Sequence, residues 1–183
     1  MYKWILIFFT LLGIFSCKES DSKNEYPAID VTGYLKGQLK LIDTVAYGLL
    51  KVTEKEGSAP DSVYLNKQQV KALVDPFLSA EISKEELETN YTETSFADAS
   101  TSFVTITYKT KEETSTFQQI DVYIEPQSGA IRQLYLTGFI DTPNGLTRKQ
   151  LLWFHNKGGN IISTPMNNPP GNLPSITERL IWL

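Results

Sequence analysis

Beyond Ser100 the apolar residues of this chain fall at every second position, whereas before it they fall at every third or fourth. Val104, Ile106 and Tyr108 alternate with Thr105, Thr107 and Lys109, and Ile120, Val122 and Ile124 alternate with Gln119, Asp121 and Tyr123. A pleated strand sends successive side chains to opposite faces, so each set lays an apolar row against a core and a polar row on the other side. Turn residues punctuate these runs. Residues 111–114 join the first two, and Pro126-Gln-Ser-Gly129 leads into a strand over 130–137 carrying Leu134 and Leu136. Asp141-Thr-Pro-Asn-Gly145 precedes a strand over about 147–155, and Asn156-Lys-Gly-Gly159 closes a hairpin into 160–164. A Pro-rich loop, 165–175, then introduces a last strand at 176–182.

The N-terminal half reads differently. Leu35, Leu39, Ile42 and Ala46 stand at helical spacing and predict a helix over 31–46. Residues 47–53 either continue it or form a short extended piece, and Gly57-Ser-Ala-Pro60 is a loop. Asn66 is placed to cap a second helix with the stripe Val70, Leu73, Val74 and Phe77, which Pro76 should kink or shorten. Ser83-Lys-Glu-Glu86 is a capping-box pattern that starts a short helix ending near Asn90. Helices followed by hairpin-linked strands predict an α+β fold: N-terminal helices packed on one face of an antiparallel meander sheet of about five or six strands.

Composition bounds the function classes. With 183 residues, 41% of them hydrophobic, the chain suits a single globular domain, assigned to 31–183. The formal charge is −4 and no run of Lys and Arg forms a stripe, which argues against nucleic acid, whose phosphates demand clustered cations.

Residues 1–16 begin with a Lys at position 3, run through the apolar block from Trp4 to Phe15 and end on Ser16, the three parts of an export leader. The block is shorter than the roughly 20 apolar residues a membrane-spanning helix needs. Ile14-Phe15-Ser16-Cys17 then resembles the lipobox of bacterial lipoproteins. The resemblance implies cleavage by signal peptidase II between Ser16 and Cys17, a diacylglycerol on the Cys17 thiol and an acyl chain such as palmitate on the new amine. Cys17 is the chain's one cysteine and sits where the apolar block ends. A buried free thiol is hard to reconcile with Lys18, Glu19 and Asp21 beside it. Residues 17–30 read as the lipidated Cys and a flexible tether. Lys18 followed by acids resembles the signal that sends Bacteroidota lipoproteins to the outer membrane, lipid-anchored and exposed at the cell surface, although Ser20 interrupts the acidic pair. The closing segments "LLWFHNKGGNIIST" and "ITERLIWL" resemble the C-terminal hairpins of uncharacterised Bacteroidota lipoproteins, which implies location and fold but no activity.

Chemistry-bearing patterns are sparse. His155, the single histidine, has no Gly-x-Ser-x-Gly elbow to accompany it, so no catalytic residue is assigned. One His and an acylated Cys offer no metal set, and neither a phosphate loop nor a Gly-x-Gly-x-x-Gly is present, so no metal and no cofactor is expected. Asp121 and Glu125 share the polar face of one strand and are the carboxylate pair available for hydrolysis. Tyr123, Tyr135 and Trp153 could share an outer face as a recognition surface for a sugar or a protein, or be covered as ordinary packing. Asp43-Thr44-Val45 and Asp61-Ser62-Val63 resemble the Asp-Ser/Thr-aliphatic motif of Bacteroidota O-glycosylation, which implies Ser62, in a loop, and Thr44, at a helix end, as acceptors.

Two functions follow from these readings. The first is a lipid-anchored envelope lipoprotein that is not an enzyme, whose domain binds an envelope protein or a glycan while the lipid binds the membrane. The second is a cell-surface or periplasmic hydrolase that attacks polysaccharide through a carboxylate pair.

Overall fold

The computed structural model describes residues 29–44, 48–98, 100–143, 145–166 and 174–183. Ser16, Cys17 and most of the tether lie outside them. Three helices, α1 (Val31–Thr44), α2 (Lys67–Leu78) and α3 (Lys84–Asn90), are interspersed with strands. The strands are β1 (Leu49–Lys55), β2 (Asp61–Tyr64), β3 (Tyr91–Asp98), β4 (Phe103–Thr110), β5 (Phe117–Ile124), β6 (Ile131–Thr142), β7 (Gly145–Phe154), β8 (Gly158–Pro165) and β9 (Ile176–Trp182). The cap at α2 is reciprocal: Asn66 Oδ1 accepts from the Gln69 amide at 2.9 Å and Gln69 Oε1 accepts from the Asn66 amide at 2.8 Å. Pro76 stays inside α2, which ends two residues later. At α3 only the Ser83 half of the box forms, because Glu86 Oε1 accepts from Asn90 instead.

All the strands join one antiparallel sheet in the order β2-β1-β9-β8-β7-β6-β5-β4-β3. This corrects the expected α+β arrangement of N-terminal helices on a five- or six-stranded sheet. Among the described residues the sheet has nine strands, half of the residues (50%) are strand against 23% helix, and helices and strands are not segregated along the sequence. Periodicity gives no sign of β2 or β3, and it leaves β1 as one of two readings of residues 47–53. β2 is exposed along its whole length, β3 buries only Tyr91 among its described side chains, and β1 buries only Leu49. β2 and β3, exposed over most of their length, have no apolar row to alternate, so their sequences resemble loops, and β1 past Leu49 is half-buried on both faces, which also leaves no alternation.

From β3 to β9 the sheet is a plain meander; β1 then adds beside β9, with Leu49 opposite Trp182 and Lys55 opposite Ile176. The registers define cross-strand rows on the inner face. One row runs Leu180, Gly159, Trp153, Leu134, Val122, Ile106, and the next Ile161, Leu151, Leu136, Ile120, Tyr108. These residues form one buried cluster with Leu35, Leu39 and Ile42 of α1, Val70, Val74 and Phe77 of α2 and Leu87 of α3. The Phe77 ring stacks on Phe117 at 6.0 Å.

Trp153 sits at the middle of this core. It lies opposite Gly159, where a methyl group would come 3.0 Å from the indole, and meets Trp182 edge-on at 5.8 Å. The adjoining turn needs Gly158, whose φ is +101° and whose added Cβ would stand 2.2 Å from the Leu180 carbonyl. Because Trp153 is fully buried, Trp153→Ala is expected to lower stability by about 3–5 kcal/mol in urea unfolding.

Candidate functional site

The inner face does not stay apolar. One row beyond Leu151 and Ile161 it reads Lys149, Ser163, Ile176 and Lys55 across β7, β8, β9 and β1, and Thr147 and Pro165 follow. Alternation accounts for this: Thr147 and Lys149 have the same parity along β7 as Leu151 and Trp153, so they point to the core side of the sheet. The core boundary falls between these rows, since Leu151 and Ile161 are buried while Lys149, Ser163 and Ile176 are half-exposed. Past that boundary lies a groove of about 720 Å³, lined also by Thr53, Thr142, Pro174 and Glu178. That volume is in the range of small-molecule sites.

The groove's polar groups are arranged by direct cross-strand pairing. Lys149 Nζ donates to Ser163 Oγ at 2.7 Å across β7 and β8. Glu178 is held by Lys51 at 2.9 Å, with both side chains about one-fifth exposed. Thr142 and Thr147 donate their hydroxyls to the Gly145 carbonyl at 2.8 and 3.3 Å. Among the described residues, neither Lys149 nor Lys55 makes an ion pair. None of these groove residues was singled out from the sequence. A lysine in phase with Leu151 and Trp153 was the available signal, and it is masked because Leu152 and Phe154 are apolar too.

The aromatic candidates separate. Tyr123 and Tyr135 lie on the outer face, Tyr135 opposite Asp121, whereas Trp153 is on the inner face within the core. Gln150 donates to the Tyr135 hydroxyl. Burial, and then the nearby Asp121 carboxylate, push the Tyr123 phenol above its ordinary pKa of 10.0. Asp121, only 7% exposed, accepts from Thr107 at 2.7 Å and from Gln119 at 2.9 Å. Glu125 lies just past the end of β5 and accepts from Ser128 and from Arg132 at 2.6 Å, bonds that hold its carboxyl below the usual range. Four residues along a strand span about 13 Å, beyond the roughly 9.5 Å that a pair of hydrolytic carboxylates uses. The structure thus gives Asp121 and Glu125 separate partners and does not bring them together.

Ser62 sits on β2, an edge strand whose residues are all exposed, and not in a loop. Thr44 is the last residue of α1, exposed, with its hydroxyl donating to the Leu41 carbonyl at 2.9 Å. Its neighbour Asp43 is paired with Lys71 at 2.8 Å, which lowers the Asp43 carboxyl. Among the described residues no group of three or more His, Cys, Asp or Glu gathers as a metal site. Nor, among them, is any helix long and apolar enough to cross a membrane.

His155 belongs to a clasp between α1 and the end of β7. The buried Gln38 amide sets its geometry: Gln38 Oε1 accepts from the Asn156 backbone amide at 2.9 Å, so Nε2 is the group that faces His155 Nδ1 at 3.1 Å. An amide nitrogen donates and cannot accept, so Nδ1 carries the lone pair and the imidazole is neutral with its proton on Nε2. The Tyr34 hydroxyl is also within reach of Nδ1, at 3.2 Å, and its ring stacks on the imidazole at 6.1 Å. Burial pushes the Tyr34 phenol up to about 12. It is desolvation, and then the Arg132 charge, that lowers the His155 pKa. The clasp was not read from the sequence, since Gln38, three residues after Leu35, is a polar residue that periodicity passes over.

No family model, no curated protein and no solved structure matches the chain.

The clasp has a pH signature. A histidine whose folded pKa lies below its ordinary 6.5 leaves stability untouched above that value. As pH falls below it, the unfolded chain takes up a proton that the folded chain refuses, and stability drops. Urea unfolding at pH 7.5 and 5.5 is expected to show this loss in the wild type and a smaller one in His155→Gln.

Proposed function

We propose that this chain is a lipid-anchored lipoprotein of the outer membrane whose nine-stranded domain binds a partner or a glycan without transforming it. The observation that carries the reading is the groove beyond the core on the inner face, with its ammonium and hydroxyl groups fixed by cross-strand pairing. Such groups recognise ligands through hydrogen bonds and charge, and rigid strands hold them in place before the ligand arrives. The carboxylates first considered for hydrolysis lie elsewhere: Asp121 and Tyr135 face each other on the outer side of the sheet, and Glu125 is bound to Arg132. The anchor rests on the sequence Ile14-Phe15-Ser16-Cys17. Two or three acyl chains on Cys17, at about 0.8 kcal/mol per buried methylene, would hold the protein at a membrane permanently.

Growth of the native host with an alkyne fatty acid should label the wild-type protein in the membrane fraction and leave Cys17→Ala unlabelled; a bare thiol on wild-type protein refutes the anchor. The mature protein, solubilised in detergent and captured on a glycan array, should release any bound glycan with its mass unchanged. A shortened glycan would instead identify an enzyme.

A further inference from the structure

The hydrogen-bonding capacity left in the groove is lopsided. Lys149 Nζ has three N–H groups and uses one on Ser163 Oγ. Ser163 Oγ accepts that bond, so its own hydrogen is available to something else. Lys55 brings three more donors to the rim, opposite Ile176. The Glu178 carboxylate, which lines the same groove, is paired through Oε1 with Lys51. Asp61 stands across from Thr53 at the β2 edge, but among the described residues neither it nor Glu178 pairs with Lys149 or Lys55. Ammonium and hydroxyl donors concentrated at the centre of a groove and held in no such ion pair suit an oxyanion.

Two further features suit an anion carried on a sugar rather than a bare ion. Thr142 and Thr147 donate to Gly145, which leaves their oxygens as acceptors for hydroxyl hydrogens. Thr147 stands two residues from Lys149 along β7, about 7 Å away, a spacing comparable with one pyranose ring. Ile176, Pro165 and Pro174 supply apolar walls to meet C–H faces. Resting on the reading of this groove as a binding site, we propose that it takes an anionic sugar, with Lys149 and Ser163 on the carboxylate or phosphate oxygens and Thr147 on a ring hydroxyl.

Calorimetric titration of the detergent-solubilised mature protein tests this with four probes: digalacturonate, glucose 6-phosphate, maltose and inorganic phosphate. Saturable binding of either acidic sugar is expected, weaker at high salt, with maltose and inorganic phosphate at least about tenfold weaker. The acidic sugar that binds decides between carboxylate and phosphate. Lys149→Gln should weaken that binding by about tenfold or more, Lys149→Arg should restore most of it, and Lys84→Gln, on the remote α3, should not change it. Unaltered thermal unfolding of Lys149→Gln shows that the loss is not a folding defect. The proposal is overturned if neither acidic sugar binds, if maltose or inorganic phosphate binds as tightly, or if Lys149→Gln keeps wild-type affinity. Tight maltose binding sinks the anionic class while sparing the binding-module reading; cleavage of digalacturonate sinks that reading instead.

Discussion

The placement of β9 between β8 and β1 is the constraint on which the rest of the sheet depends. It brings the first strand of the domain beside the last, and the Leu183 amide donates to the Gly48 carbonyl at 2.8 Å where they meet. Ion pairs join the two strands on both faces, Lys51 with Glu178 on the inner side and Arg179 with Glu54 on the outer. Exposed pairs of the second kind contribute little, about 0–1 kcal/mol. The apolar match of Leu49 with Trp182, both buried, does more to hold the register. A one-residue slip here would turn Leu49 outward and remove Lys55 and Thr53 from the groove. Fold and site therefore share one register.

The same pleat explains what could be read from the sequence. β4, β5 and β6 were legible because each carries an apolar row facing a polar one, and the reversals on to β8 because Gly129 and the Asn156 to Gly159 turn mark them. β2 and β3 were not, since they expose most of their side chains, and β1 stayed open to two readings because past Leu49 it is half-buried without alternation. The phase of β7 was lost for the opposite reason. Leu151, Leu152, Trp153 and Phe154 are all apolar, so nothing in the pattern says which pair faces the core. An outer-face Trp153 beside Tyr123 and Tyr135 and a covered one were both open readings; the structure puts Trp153 in the core. With that phase goes Lys149, and with Lys149 the centre of the groove.

Gln38 illustrates a second kind of illegibility. A buried amide is costly unless each of its groups finds a partner, and here both do, on Asn156 and on His155. Leu35, Leu39 and Ile42 would tolerate many rotations and translations of α1 against the other core side chains. The Gln38 amide tolerates few, because its oxygen must meet one backbone N–H and its nitrogen one imidazole lone pair. Apolar burial thus supplies most of the stabilisation, and the polar clasp supplies orientation. Periodicity reports the first and is blind to the second.

The groove inherits its stiffness from this arrangement. Lys149, Ser163 and Ile176 lie on β7, β8 and β9, each hydrogen-bonded to a neighbour on both sides, so little ordering is needed when a ligand arrives. Loop-borne lysines would have to be immobilised first, at roughly 0.5–1.5 kcal/mol for each long side chain. Lys149 is already tied to Ser163, and its position is set by the same backbone that packs Trp153 four residues on. Substitutions in the core row should therefore be felt in the groove through the shared strand, without any contact to the ligand. A binding site that begins where a hydrophobic core ends needs only a change of side chain along a strand, from Leu151 to Lys149, to change from excluding water to recognising charge.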